Sequence, residues 1–463
     1  MLHSRFTRRA LFGATASLLM AQKRPPNIIW FMYDDLGSAG LGCYGQEKIK
    51  TPHSDRLAKE GTRYTACYAG GSVCAPSRSV LMTGMHLGHA PVRANAQTVP
   101  FEDSDVTVAE VLKKAGYATG GFGKWGLGDA GSTGAPTRQG FDEFYGYLHQ
   151  THAHNYWPEY LRDGEEKQTL TANLGRKKGT YSATLIGERM AQFVEKHRSR
   201  PFFLYATPTL PHALFHPPTD DPYSDKPWTK GQKAFAAMTT MADAQLGRIL
   251  ELLDKHGLTE NTVVFCTSDN GGVKPPDENN DGSFFEINRG LKGFKGSLWE
   301  GGLRVPMIVR WPGKVAAGKV NGTPWYFADF LATAAEIAGG KAPKGVDGVS
   351  MVPVLTGKSM ARRALYWEQE RWDSKARRMR EETLAQAVRL GDWKAIRNAP
   401  GAALELYDLS KDPRERKNVA GENSKVVAEI EGLLKNIRVT ARPHDNGNDE
   451  WVGRKDIPPE TNE

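Results

Sequence analysis

The chain has 463 residues, enough for one large domain and a smaller companion, and its 39% hydrophobic and 25% charged content is that of an ordinary soluble protein. Formal net charge is +8, falling to +5 without Arg5, Arg8 and Arg9, and no basic stripe with interleaved aromatics points to nucleic acid. No apolar run reaches transmembrane length, so stable membrane insertion is not expected.

At the N-terminus, Thr7-Arg8-Arg9-Ala10-Leu11-Phe12 leads into a modest apolar run from Gly13 to Ala21. This resembles a bacterial twin-arginine export signal over residues 1–21, and predicts an exported, periplasmic or secreted protein. The run Asn27 to Tyr33 is nearly continuous in apolar residues, as in a strand covered on both faces, and ends in Asp34-Asp35. Short helices are expected over Asp55–Glu60 and Val106–Ala115, each followed by glycine. Between them, Cys74-Ala75-Pro76-Ser77-Arg78 reads as a helix start, with Pro76 in the first turn and Val80 and Leu81 opening an apolar face. A thiol at that terminus would have a lowered pKa and face an anion-friendly site; equally, it could be a buried structural cysteine.

Further along, Tyr181–His197 and Gln232–His256 read as amphipathic helices preceding the strands Pro201–Ala206 and Thr262–Thr267. The second strand contains Cys266 and ends at Asp269-Asn270. With Cys43, Cys67, Cys74 and Cys266 the only cysteines, at most one disulfide is available if Cys74 is catalytic. A helix is expected over Trp325–Ala338. Strands then follow over Ala364–Gln369, Leu384–Leu390, Trp393–Arg397 and Leu404–Tyr407, the middle pair joined by a Gly391-Asp392 turn. A helix over Ser424–Val439 closes the pattern. The alternation predicts an α/β fold: a large, mainly parallel central sheet between helices, with a smaller C-terminal α+β unit. The expected units are 24–345 and 346–442, with a polar tail over 443–463.

In such sheets ligands gather beyond the carboxyl ends of the strands. One Asp-Asp pair there could be a turn or a cap. Two pairs, Asp34-Asp35 and Asp269-Asn270, form an all-oxygen set suited to calcium or magnesium.

Cys74-x-Pro-Ser-Arg-x-x-x-x-Thr83-Gly84 is a specific motif, and others stand in order with it: Thr51-Pro52, Gly123-Lys124-Trp125, Pro211-His212, Ser268-Asp269-Asn270-Gly271, Lys295-Gly296, Glu300-Gly301-Gly302 and Gly391-Asp392-Trp393-Lys394. Over nearly its whole length the chain resembles the formylglycine-dependent sulfatases of the alkaline phosphatase superfamily. The resemblance implies an alkaline phosphatase-like fold and oxidation of Cys74 to formylglycine by a maturation enzyme. The hydrated aldehyde would be the nucleophile and, with Cys74 as its source, a ligand of a Ca2+ or Mg2+ ion held by Asp34, Asp35, Asp269 and Asn270. It further implies that Arg78 orders the diol, that Lys124 and Lys295 neutralise diol and sulfate oxygens, and that His212 protonates the departing alcohol.

One departure matters. Many relatives carry His two residues after the lysine, where this chain has Gly126. Gln150 falls near where relatives place a sulfate contact and is expected to make it here. His152 or His154 is expected to enter the pocket and take over the missing role, the alternative being a surface loop that touches substrate or nothing. The leading expectation is an exported hydrolase of sulfated mono- or oligosaccharides, folded before passage through the twin-arginine machinery. The aromatic stretches Tyr156-Trp157-Pro158 and Trp367–Trp372 could stack on sugar rings or be core. A phosphonate or phosphate-ester hydrolase, and a non-catalytic glycan-binding homologue, are the alternatives.

Overall fold

A computed structural model describes residues 24–95, 99–273, 284–373 and 378–442. The expected export signal and polar tail lie outside the described residues. Eleven strands form one sheet: β1 (Asn27–Tyr33), β2 (Thr62–Tyr68), β3 (Ala118–Lys124), β4 (Glu143–Tyr147), β5 (Tyr160–Asp163), β6 (Glu166–Thr169), β7 (Phe202–Thr207), β8 (Thr262–Ser268), β9 (Arg304–Arg310), β10 (Lys319–Asn321) and β11 (Trp325–Tyr326). Their order is β10-β2-β9-β8-β1-β7-β3-β4-β5-β6, with β11 also on β2. The central run β8-β1-β7-β3-β4 is wholly parallel, and antiparallel pairs flank it at β8–β9 and β4–β5.

The helices are α1 (Pro52–Glu60), α2 (Cys74–Thr83), α3 (Val108–Lys114), α4 (Ser182–His197), α5 (Lys230–Lys255), the single turn α6 (Glu300–Leu303), α7 (Asp329–Ile337), the short α8 (Val352–Leu355) and α9 (Ser424–Leu434). Two large apolar clusters cover the sheet's faces. Trp30 and Met32 of β1 point into one with α2 and α7, and Ile29 and Phe31 into the other with α4 and α5. Every residue of β1 is buried, which is why its sequence does not alternate.

A second sheet, β12 (Ala364–Asp373), β13 (Arg378–Leu390), β14 (Trp393–Arg397) and β15 (Glu405–Asp408), is antiparallel throughout and packs with α9. Gly391 and Asp392 form the two-residue turn between β13 and β14. The fold class matches the sequence reading: a mixed, mainly parallel sheet between helices with a smaller C-terminal sheet.

Several boundaries need correction. The apolar run from Trp325 is not one helix: Trp325 and Tyr326 pair with β2, and α7 starts at Asp329. The last helix ends at Leu434 rather than Val439. Helix α3 starts at Val108 because Thr107 caps it, its hydroxyl accepting from Glu110 N–H while the Glu110 carboxylate accepts from Thr107 N–H. All four cysteines are free thiols. Among the described residues no helix is long and apolar enough to cross a membrane.

Candidate active site

The parallel strands deliver most of the polar cluster at their carboxyl ends. Tyr33 pairs with Ser268 at the last register position of β1 and β8, so the next residues, Asp34-Asp35 and Asp269-Asn270, emerge side by side. Strand β3 ends in Lys124, β7 runs on to His212, and β4 runs on to the segment Gln150–His154. The remaining parts come from Cys74, first residue of α2, and from Lys295 in the loop before α6.

Asp34, Asp35, Asp269 and Asn270 have no exposed surface. Arg78, one turn along α2, is equally buried and binds Asp34 at 3.2 Å and Asp269 at 2.8 Å through Nη2, and the Lys124 carbonyl at 2.7 Å through Nη1. Lys124 Nζ lies 3.0 Å from Asp34 and 3.3 Å from Cys74 Sγ. Lys295 Nζ donates to Asp35 Oδ2 at 2.7 Å and lies 3.0 Å from His212 Nε2, which is 3.3 Å from the same carboxylate. His212 Nδ1 donates to the Ala213 carbonyl, an acceptor only, which leaves Nε2 to receive the lysine's proton.

The electrostatics follow from burial and this company. Burial alone would raise the Asp34 pKa, but Lys124, His212, Arg78 and Lys295 hold it well below the usual carboxylate range. Asp269 goes the other way, pushed up to about 6 by burial and by the Asp34 charge. His212 is held well below the ordinary imidazole value by burial, then Lys295 and Lys124. The lowered thiol pKa expected of Cys74 is overturned: burial pushes it up to about 12, against the pull of Lys124 and Lys295. The helix terminus does not compensate for lost water.

The donor set fits a hard divalent cation. Three buried carboxylates converge, and the Asn270 side-chain oxygen has no hydrogen-bond partner although its Nδ2 donates to Asp35 at 2.7 Å. One ligand atom each from Asp34, Asp35, Cys74 and His212 can lie within 4.8 Å of one another. Among the described residues a second group, His86, His89 and Asp347, meets the same criterion. There the Gly88 N–H donates to His86 Nδ1 at 3.1 Å, which puts the ring hydrogen on Nε2, facing Asp347 at 3.7 Å. A cation would have to displace that hydrogen, so the oxygen-rich site is the candidate metal centre.

Gly126 has φ +80, and a Cβ there would collide with the Gln150 carboxamide. Gln150 therefore fills the space a side chain at 126 would need. Of the two histidines considered for the missing role, His154 stacks on His212, with ring centroids 4.2 Å apart. His152 packs instead against the rings of Tyr147 and Tyr160. Tyr156 and Trp367 are core residues, and Trp157 is half-buried against Tyr181.

Sequence reasoning passed over the residues that brace the cluster. Thr207 Oγ1 donates to the Lys124 carbonyl at 3.0 Å, Ser77 Oγ to the Asp269 carbonyl, and Tyr156 Oη reaches the His212 carbonyl at 2.7 Å. A hydroxyl residue closing a parallel strand was the available signal for Thr207.

The family profile described as Sulfatase matches residues 26–340, and one described as N-sulphoglucosamine sulphohydrolase, C-terminal, matches residues 294–440. The chain belongs to the sulfatase family. Sulfatases are sulfuric ester hydrolases of the alkaline phosphatase superfamily, and this protein is an enzyme of that kind. It is 33% identical to human arylsulfatase A over 92% of this chain and 91% of that protein. It is 31% identical to an N-acetylgalactosamine-6-O-sulfatase of Bacteroides thetaiotaomicron over 89% of this chain and 93% of that one. The solved structure of Ps i-CgsB superposes with a TM-score of 0.78 at 28% identity, covering 91% of this chain and 96% of that chain.

Proposed function

We propose that this sulfatase removes sulfate from a sulfated mono- or oligosaccharide, with Cys74 matured to formylglycine and calcium or magnesium held by Asp34, Asp35, Asp269 and Asn270. The observation that carries the reading is the meeting of Cys74 with these four side chains, two lysines, an arginine and a histidine in one buried cluster. The sugar assignment draws on the relative whose name gives N-acetylgalactosamine 6-O-sulfate as substrate.

Once formed and hydrated, the formylglycine supplies the nucleophilic oxygen and the cation lowers the cost of its negative charge. The chain's own groups do the rest. Arg78 locks Asp34 and Asp269 in place, so the ligand oxygens need no rearrangement during turnover. Lys124 sits against the nucleophile's position and Lys295 beside His212, a pair of fixed cations for the charge that develops on sulfate. Lys295 keeps its proton and donates a hydrogen bond to the neutral His212 Nε2 across 3.0 Å, which puts a proton close at hand for the departing alcohol. Gln150 lies against Gly126, and His154 stacks on His212.

The thiol itself is buried and held protonated, a poor nucleophile until modified. Mass spectrometry of the peptide spanning Cys74, combined with a screen of sulfated galactose and N-acetylhexosamine compounds, tests the proposal. Formylglycine at 74 with turnover of a sugar sulfate is the expected result, and Cys74→Ala should abolish it. Unmodified cysteine throughout, or hydrolysis of phosphonate esters alone, would refute it. Dialysis against a chelator should remove activity, and calcium or magnesium should restore it.

The segment Thr7–Phe12 with the apolar run after it supports export through the twin-arginine route. Replacing Arg8 and Arg9 together by lysine should retain the protein in the cytoplasm of a bacterial host. Unchanged export would sink that part.

A further inference from the structure

We infer that His154 is a positioning residue: its ring, stacked on His212, fixes the plane in which His212 presents Nε2 to the leaving alcohol. The inference rests on the proposed reading of His212 as a proton-handling group.

His212 lies on neither helix nor strand. It follows the irregular segment after β7, and its Nδ1 hydrogen bond goes to Ala213, its own chain neighbour. That bond sets the tautomer, but its acceptor moves with the loop and cannot fix the ring relative to the cluster. Lys295 Nζ at 3.0 Å and Asp35 at 3.3 Å meet Nε2 at the ring's edge, and the contact on the ring's face comes from the segment after β4. The His154 and His212 rings lie nearly face to face, 21° from parallel. Two residues on, Tyr156 Oη reaches the carbonyls of Thr209 at 2.9 Å and His212 at 2.7 Å. One short stretch therefore grips both the backbone and the ring of His212.

The grip is itself anchored. His152, at the start of the same turn, packs edge-on against Tyr147 at the end of β4, 5.0 Å between centroids, and against Tyr160 of β5 at 4.6 Å. Tyr156 is buried and stacks on Tyr181. Burial, His212, Lys124 and Lys295 all work against protonation of His154, so the stacked partner is a neutral ring that does not repel the cations beside it. A flat, uncharged, rigidly seated ring is suited to orientation rather than to carrying a proton.

A residue that only orients a leaving-group acid should matter when the leaving group needs a proton, and little when it does not. The test uses formylglycine-bearing wild type, His154→Ala and His154→Phe, with 4-nitrocatechol sulfate and N-acetylgalactosamine 6-sulfate as the two esters. The expected result is a loss in kcat of about 10–100-fold for His154→Ala on the sugar sulfate, with KM little changed. The nitroaryl sulfate, whose phenolate leaves unaided, should fall less than about 3-fold. Phenylalanine keeps the stack without ring nitrogens and should restore most of the sugar-sulfate rate. It also serves if the alanine variant does not fold.

Equal losses on both esters, or no loss on either, would overturn the inference. So would a phenylalanine variant as impaired as alanine, since the nitrogens and not the stack would then be required. Failure of formylglycine-bearing wild type on every sulfate ester is a different result: it breaks the reading of the site, not the role of His154.

Discussion

Arg78 shows how much of the site depends on one side chain. Its planar fork serves two carboxylates and the Lys124 carbonyl in a place without water. A lysine ammonium offers a point charge and cannot span those three acceptors. Arg78→Lys is therefore expected to lower kcat by on the order of 100-fold or more while the protein still folds, measured on any sulfate ester the enzyme accepts. A near wild-type rate would show that the fork is dispensable. Gly126 makes a second prediction at this scale. Its φ of +80 disfavours any L side chain, and the added methyl of Gly126→Ala would displace Gln150. Sugar-sulfate kcat/KM should fall about 10-fold or more, a loss that Gln150→Gly in the same chain should partly relieve. Most residues of the candidate site were legible because their motifs are local and spaced in order. The pairing of Gly126 with Gln150, and of His154 with His212, was not: each joins two loops whose contact depends on strand order, which no single motif encodes.

The same distinction holds between elements. Strands β1 and β8 announced themselves as continuous apolar runs because both faces are covered. Strand β3, which delivers Lys124, was passed over because its sequence, Ala118-Thr-Gly-Gly-Phe-Gly-Lys124, looks like a loop. Its glycines answer to close packing: a Cβ at Gly120 would overlap the Phe193 ring of α4, and one at Gly123 the Thr207 carbonyl of β7. Composition reported the neighbours' demand rather than the strand's own preference. The late motif Gly391-Asp392-Trp393-Lys394 likewise concealed a structural role. Lys394 of β14 is fully buried, with Glu300 of α6 at 3.0 Å and Glu415 at 2.9 Å. It thus joins the second sheet to the turn just after the Lys295 loop. Lys394→Met should take the nearest cation from two buried carboxylates, leaving Glu300 with Arg304 at 3.6 Å, and cost about 3–5 kcal/mol in urea unfolding. A loss under about 1 kcal/mol would mean that the carboxylates find other partners or protonate freely.

Across the whole molecule, the apolar cluster that seats helix α2 also takes in Leu365, Trp367, Ala387 and Ile396 of the second sheet, and one contact just beyond that helix is sensitive to acid. His86, just beyond α2, stacks on His89 with centroids 4.3 Å apart, meets Tyr366 of β12 edge-on at 5.3 Å, and donates its backbone N–H to Asp347 at 2.9 Å. Burial pushes its pKa down to about 4, with Asp347 pulling upward and His89 adding to the drop. In the unfolded chain the same imidazole protonates near 6.5. Between those values the unfolded state binds more protons than the folded one, so stability rises with pH there. The contribution is complete above about pH 6.5 and is lost as pH falls toward about 4. His86→Phe keeps a ring beside Tyr366 without a titrating nitrogen. Wild-type Tm should therefore fall more steeply than that of the variant between about pH 7 and about pH 4.5, the difference growing with acidity. Parallel curves would show that His86 protonates as easily folded as unfolded. A steeper curve for the variant would show that the charged ring, paired with Asp347, is the stabilising form.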